Sequence, residues 1–199
     1  MSPLALDTPY GPALAHLHPA PAPRAALVLG HGAGGGVATA DLQAVTAVAL
    51  ELNVSVVLLE QPYRVAGRRA PAPAHQLDTA WSAALQQLAA GPLSALPLII
   101  GGRSSGGRVA CRTAAETGAI AVLCLAFPLH PPRKPEQSRQ AELDAVTVPV
   151  LVVQGSRDRF GMPVAAKQRE VIAVPGDHSL ATDPAAVAAA VRRWIVRHL

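Results

Sequence analysis

The sequence predicts an α/β fold, a mostly parallel sheet with helices on both faces and an early antiparallel portion. Three observations carry this expectation. Short apolar runs rich in branched residues recur at Ala26–Gly30, Val54–Glu60, Leu98–Gly102, Ile120–Phe127, Val150–Gln154 and Val171–Val174. They have the length and composition of strands buried on both faces. Helical patterns lie between most of them, and no linker, repeat or shift in composition divides the 199 residues. Residues 1–199 are therefore expected to form a single domain whose site lies at the carboxyl ends of the strands.

Taken in order, the chain opens with Thr8-Pro9-Tyr10-Gly11-Pro12 and alternating Leu14, His16 and His18, an early strand or hairpin. Pro19-Ala20-Pro21-Ala22-Pro23 is a stiff connection into the first parallel strand. Asp41 is the expected cap of a helix bearing Leu42, Val45, Ala49 and Leu52 on one face. Leu77, Trp81, Leu85 and Leu88 mark a second helix, stopped at Gly91-Pro92. A third runs from Gly106 to Glu116 and ends at Gly118. The last starts at Asp183, with Pro184 in its first position, and carries Val187, Val191, Trp194 and Ile195.

Composition narrows the function classes. Only 15% of residues are charged and half are apolar, which describes a globular chain. The net charge of +4 and isoelectric point near 9.7 raise the question of nucleic acid. The arginines are scattered, however, and aromatics are only 3%, so no basic stripe interleaved with stacking residues exists and no nucleic-acid partner is expected. Cys111 and Cys124 stand in apolar stretches without ligand-like spacing, the pattern of buried thiols in a reducing cytoplasm; no metal site is expected. No signal segment or membrane-length apolar run is visible, so a cytoplasmic protein without a membrane partner is expected. The sequence leaves the oligomeric state open.

The most specific stretch is Gly101-Gly102-Arg103-Ser104-Ser105-Gly106-Gly107-Arg108, entered by a strand and left by a helix. That is the context the G-x-S-x-G turn needs, since side chains two positions either side of a sharply turned serine would collide. Ser104 has glycine at both positions, whereas Ser105 has Arg103 behind it, so Ser104 is the candidate nucleophile. On such a fold the acid and then the histidine follow in sequence. Asp158 comes just past a predicted strand in Gln154-Gly155-Ser156-Arg157-Asp158, and His178 sits between the next strand and the last helix. His178 would take the proton of Ser104 while Asp158 holds its tautomer. His130, His198, Asp144 and Asp177 are weaker rivals by position.

Gly30-His31-Gly32-Ala33-Gly34-Gly35-Gly36 follows the first parallel strand. It is expected to give one backbone donor to an oxyanion hole, assigned to Ala33 with Gly34 as the alternative, and Ser105 gives the second. His31 is expected to orient this loop. The same glycines at 30, 32 and 35, with Glu60 ending the next strand, also satisfy a dinucleotide-binding fingerprint. Against that reading, the helix begins several residues after the last glycine, so no helix N-terminus would face a pyrophosphate.

These motifs, with Glu60-Gln61-Pro62-Tyr63-Arg64, Pro128-Leu129-His130-Pro131-Pro132 and Gly176-Asp177-His178-Ser179, resemble the small lidless α/β-hydrolases of the KANL3/Tex30-like group, related to dienelactone hydrolases. The resemblance covers nearly the whole chain. It implies an α/β-hydrolase fold without a lid domain and the triad Ser104, Asp158 and His178. Two departures stand out: Ser105 occupies a position where such proteins more often carry Met, and the nucleophile is Ser where dienelactone hydrolases carry Cys. Some larger members of the group look like scaffolds in protein complexes, so a catalytically idle binding protein is the second reading. The first is a serine esterase that needs no cofactor, acts on a small-molecule ester, favours alkaline pH, and borders its pocket with Tyr63, Arg64 and Arg103. The segment Phe127 to Arg139 is too short for a helical lid, which favours small acyl groups.

Overall fold

The structure, a computed structural model, describes residues 2–199. Strands β1 (Leu4–Leu6) and β2 (Ala13–His18) pair antiparallel, and β2 lies antiparallel on β4 (Val54–Glu60). From there the sheet is parallel through β3 (Ala25–Gly30), β5 (Leu98–Arg103), β6 (Ala121–Leu125), β7 (Val150–Gly155) and β8 (Arg169–Val174). The order across its eight strands is β1-β2-β4-β3-β5-β6-β7-β8.

Helices cover both faces. On one, α3 (Ala74–Ala90), α4 (Ser105–Thr113) and α5 (Gln140–Asp144) bury Trp81, Leu88, Val109 and Leu143 against Val28, Ile100, Val122 and Val152. On the other, α1 (Ala40–Glu51) and α6 (Pro184–His198) bury Leu42, Val45, Val191 and Trp194 against Leu27, Leu29, Ile99, Leu123 and Val153. Adjacent residues of one strand serve opposite clusters, because side chains alternate across a pleated sheet. This double burial is why the parallel strands read as continuous apolar runs and not as alternating ones.

Two local expectations need correction, and one element was not foreseen. Asp41 does not cap α1: Thr39 holds the N-cap position, and Asp41 lies fully buried in the first turn. A short helix, α2 (Pro62–Val65), interrupts the stretch after β4, started by Pro62 at its first position. Strand β8 begins at Arg169, before the apolar run. The chain buries that arginine by directing Nε to the Val164 carbonyl at 2.6 Å and a second nitrogen to Asp144 at 2.9 Å. Residues 126–139 contain no helix, so no lid covers the carboxyl ends of the strands.

Candidate active site

The turn from β5 into α4 places Ser104. Its backbone has φ 51° and ψ −110°, a left-handed conformation that a residue with a side chain adopts at a cost of about 1–3 kcal/mol. The Ser104 N–H donates to the Leu125 carbonyl at 2.8 Å, anchoring the turn to β6. The flanking glycines are required by close backbone approach. A Cβ at Gly102 would lie 2.6 Å from the Gly30 carbonyl oxygen, and one at Gly106 would lie 2.5 Å from the same atom. The helix can therefore start directly over β3 and β5.

Asp158 and His178 come from the loops after β7 and β8. His178 Nδ1–H donates to Asp158 Oδ2 at 2.8 Å, and its Nε2 stands 2.9 Å from Ser104 Oγ. The Asp158 side chain is 1% exposed and that of His178 is 20% exposed, so the carboxylate is enclosed while the imidazole is partly open to solvent. Asp158 is held by two further donors, the Gln154 amide at 2.8 Å and the Phe160 N–H at 2.9 Å. Gln154 also donates to the carbonyls of Phe127 and Gly161, tying the acid loop to the end of β6. The Phe160 ring packs edge-on against His178, with centroids 4.4 Å apart. Neither Gln154 nor Phe160 was singled out from the sequence. The one signal was a polar residue, Gln154, ending an otherwise apolar strand.

The loop after β3 passes beside Ser104: a Cβ at Gly32 would lie 3.6 Å from the Ser104 Cβ. His31 orients this loop. Its Nδ1–H donates to the Gly32 carbonyl at 2.8 Å and its Nε2 accepts from the Gln61 N–H at 3.1 Å, while burial pushes its pKa below the ordinary value. Tyr63 donates from its hydroxyl to the Ala33 carbonyl at 3.0 Å, and burial raises the phenol to about 12. Ser105 opens α4, so its N–H belongs to the first helical turn, whose donors have no partner within the helix.

The residues expected to border a pocket divide. Tyr63 is buried and grips the loop, and Arg64 reaches the Arg68 carbonyl at 3.5 Å; neither lines the cavity beside His178. Arg103 does line it, yet is engaged elsewhere. Its Nη2 donates to the His178 carbonyl at 3.0 Å, and its Nε lies 3.0 Å from Asp41 Oδ2 in an ion pair without aligned hydrogen-bond geometry. Glu60, the acid of the dinucleotide alternative, contacts His16 Nε2 at 2.6 Å, and the nine residues between β3 and α1 keep a helix N-terminus away from the glycines. His130 and His198 lie outside the Ser104–Asp158–His178 relay, and Asp177 bonds to Ser179. Among the described residues no cluster of His, Cys, Asp or Glu could hold a metal ion, and no helix is long and apolar enough to cross a membrane.

The profile of an alpha/beta hydrolase domain family matches residues 23–185. No curated protein sequence matches significantly. Among solved structures, the chain is similar to an alpha-beta serine hydrolase homologue from Coxiella burnetii, with TM-score 0.81 and 14% identity over 98% of both chains. It is also similar to a serine hydrolase without a lid from Xanthomonas campestris, with TM-score 0.75 and 20% identity over 97% of this chain and 94% of that one. A dienelactone hydrolase from Anabaena variabilis superposes with TM-score 0.76 and 17% identity over 100% of both chains.

Proposed function

Because the chain belongs to the alpha/beta hydrolase domain family, we propose that it is a serine hydrolase that cleaves a small carboxylic ester through Ser104, His178 and Asp158. The observation that carries this reading is the unbroken hydrogen-bond relay from Asp158 through His178 to Ser104. In the first half-reaction, Ser104 Oγ attacks the ester carbonyl as His178 Nε2 takes its proton. Asp158, accepting from Nδ1–H, stabilises the imidazolium that forms. The backbone N–H groups of Ser105 and Ala33 are assigned to the oxyanion, a contribution worth about 3–4 kcal/mol per donor in such sites. His178 then gives its proton to the departing alcohol, leaving an acyl-enzyme. Water, deprotonated by the same imidazole, releases the acid and restores Ser104.

Every step uses groups of the chain itself, so the reading includes no cofactor. The narrower kinship, with the KANL3/Tex30-like group and dienelactone hydrolases, rests on the motifs around residues 31, 61, 104, 130, 158 and 178. A cytoplasmic setting is part of the same reading, supported by the buried free thiols of Cys111 and Cys124, 3.5 Å apart.

A fluorophosphonate probe tests the proposal, since it labels only an activated serine. Wild-type protein is expected to label, while Ser104→Ala gives no adduct and His178→Ala slows labelling by about a hundred- to ten-thousandfold. A folded wild type that resists the probe overturns the catalytic reading and leaves a hydrolase fold used for binding.

A further inference from the structure

Beside His178 lies a cavity of about 530 Å³ lined by Arg103, Arg157, Arg159, Asp177, His178 and Ser179. Its charges do not balance. Arg103 is already paired with Asp41. Asp177, the one carboxylate in the lining, accepts on one oxygen from the Ser179 N–H at 2.9 Å and from its hydroxyl at 2.6 Å. Its charge, favoured by these bonds and by nearby Arg157, offsets one arginine and leaves the lining with one positive charge in excess. Arg157 and Arg159 form no ion pair with any carboxylate among the described residues, unlike half-buried Arg108 and Arg112 and buried Arg169. Both are exposed, and they flank Asp158, whose own carboxylate is enclosed with His178. Arg159 is positioned as well as unpaired: its guanidinium sits 5.1 Å from the centre of the Phe160 ring, and that ring packs edge-on against His178. A guanidinium is thus held one side chain away from the candidate base.

The side of the nucleophile matters. His178 returns its proton to the departing oxygen, so the leaving group must lie against the imidazole. The cavity is lined by His178 and its neighbour Ser179 and by no residue of the loop that approaches the oxyanion. We propose that this cavity is the leaving-group subsite and that it takes esters whose alcohol or phenol half carries a carboxylate, held by Arg157 and Arg159. Planar guanidinium forks match carboxylate geometry, and a charge-assisted pair gains most where the cation has no internal partner. This inference rests on Ser104 acting as the nucleophile for turnover, but binding at the cavity does not.

Two measurements separate these claims. The first compares kcat/KM for 4-acetoxybenzoate and the neutral 4-acetoxybenzamide. The carboxylate ester should be preferred by about tenfold, the ratio expected from the two arginine contacts together. The preference should fall toward unity in the double variant Arg157→Gln/Arg159→Gln and in high salt, which screens exposed charges. Arg193→Gln, on the exposed side of α6, should keep the preference. The second titrates 4-acetoxybenzoate calorimetrically into Ser104→Ala, where binding should weaken about tenfold when both arginines are replaced. Arginine-dependent binding without wild-type turnover would uphold carboxylate binding at the cavity but sink the esterase reading and, with it, the leaving-group assignment. Turnover of both esters at equal rates, with binding indifferent to the arginines, would overturn the subsite and leave the esterase intact. A preference for a carboxylate in the acyl half instead would overturn the assignment to the leaving group.

Discussion

Arg103 reaches three parts of the site at once. It follows Gly102 into the elbow, pairs with buried Asp41 in the first turn of α1, and donates to the backbone of the histidine itself. Its Nη1 also fills the space where a Cβ on Gly32 would stand, 2.9 Å away. One guanidinium therefore sets the spacing between Ser104, the loop after β3 and the His178 loop. Removing it as Arg103→Met would leave the Asp41 carboxylate buried and alone, a change that costs about 3–5 kcal/mol in comparable pairs. The added change Asp41→Asn should restore most of that stability. It should not restore catalysis: kcat is expected to stay about 10- to 100-fold low with KM little changed, because a small misplacement of the reacting groups costs that much. Arg103→Lys keeps a charge near Asp41 but cannot serve two partners in one plane, so it should rescue the melting temperature more than kcat. Recovery of kcat in the Asp41→Asn/Arg103→Met variant, followed by steady-state kinetics and thermal melts, would reduce Arg103 to a structural residue.

At the scale of elements, α4 crosses β3 and β5 with backbone against backbone at Gly30, Gly102 and Gly106. Gly106→Ala would press a methyl group onto the Gly30 carbonyl, where no flexible side chain can yield. Destabilisation of about 1–3 kcal/mol or more is expected, together with lost probe labelling, because the helix start must shift and Ser104 with it. A variant that melts and labels like wild type would show that the elbow has slack. These same elements explain what the sequence could disclose. The strands were legible because burial on both faces leaves long apolar runs, and α6 because Asp183 caps it, accepting from the Ala186 N–H at 2.9 Å. Ser104, Asp158 and His178 were legible because each follows its own strand in a short, recognisable turn. What stayed hidden was long-range and polar: the Arg103–His178 contact joins residues 75 apart, and Asp41 looked like a cap because its burial depends on that arginine. Arg157 and Arg159 carried no local pattern either, since only the folded loop sets them around the imidazole.

Across the whole molecule, the site is assembled from loops of β3, β5, β7 and β8, so its geometry is only as secure as the joints between loops and sheet. His31 is one such joint, and it works only when neutral: Nδ1 must donate to Gly32 while Nε2 accepts from the Gln61 N–H. A second proton would set a donor against a donor, and burial already lowers the pKa of this imidazole from the ordinary value near 6.5. The sign of the linkage follows. With the folded pKa depressed, the unfolded chain binds more protons over the interval below about 6.5, so stability is complete above that pH and falls as pH drops through the interval. Asp144, bonded to Gln140 and Arg169, and Asp177, bonded to Ser179, are held below the usual carboxylate range, and their effects belong to more acidic conditions. His18 is lowered by burial in the same direction, but it is more exposed and lies on β2, away from the triad. Urea midpoints measured from pH 8 to pH 5 should therefore decline for the wild type, beginning near pH 6.5. His31→Gln should start lower at pH 8, having lost one of two partners, and decline less steeply over the same range. Parallel curves for the two proteins would mean that His31 is not the group that ties the oxyanion loop to pH.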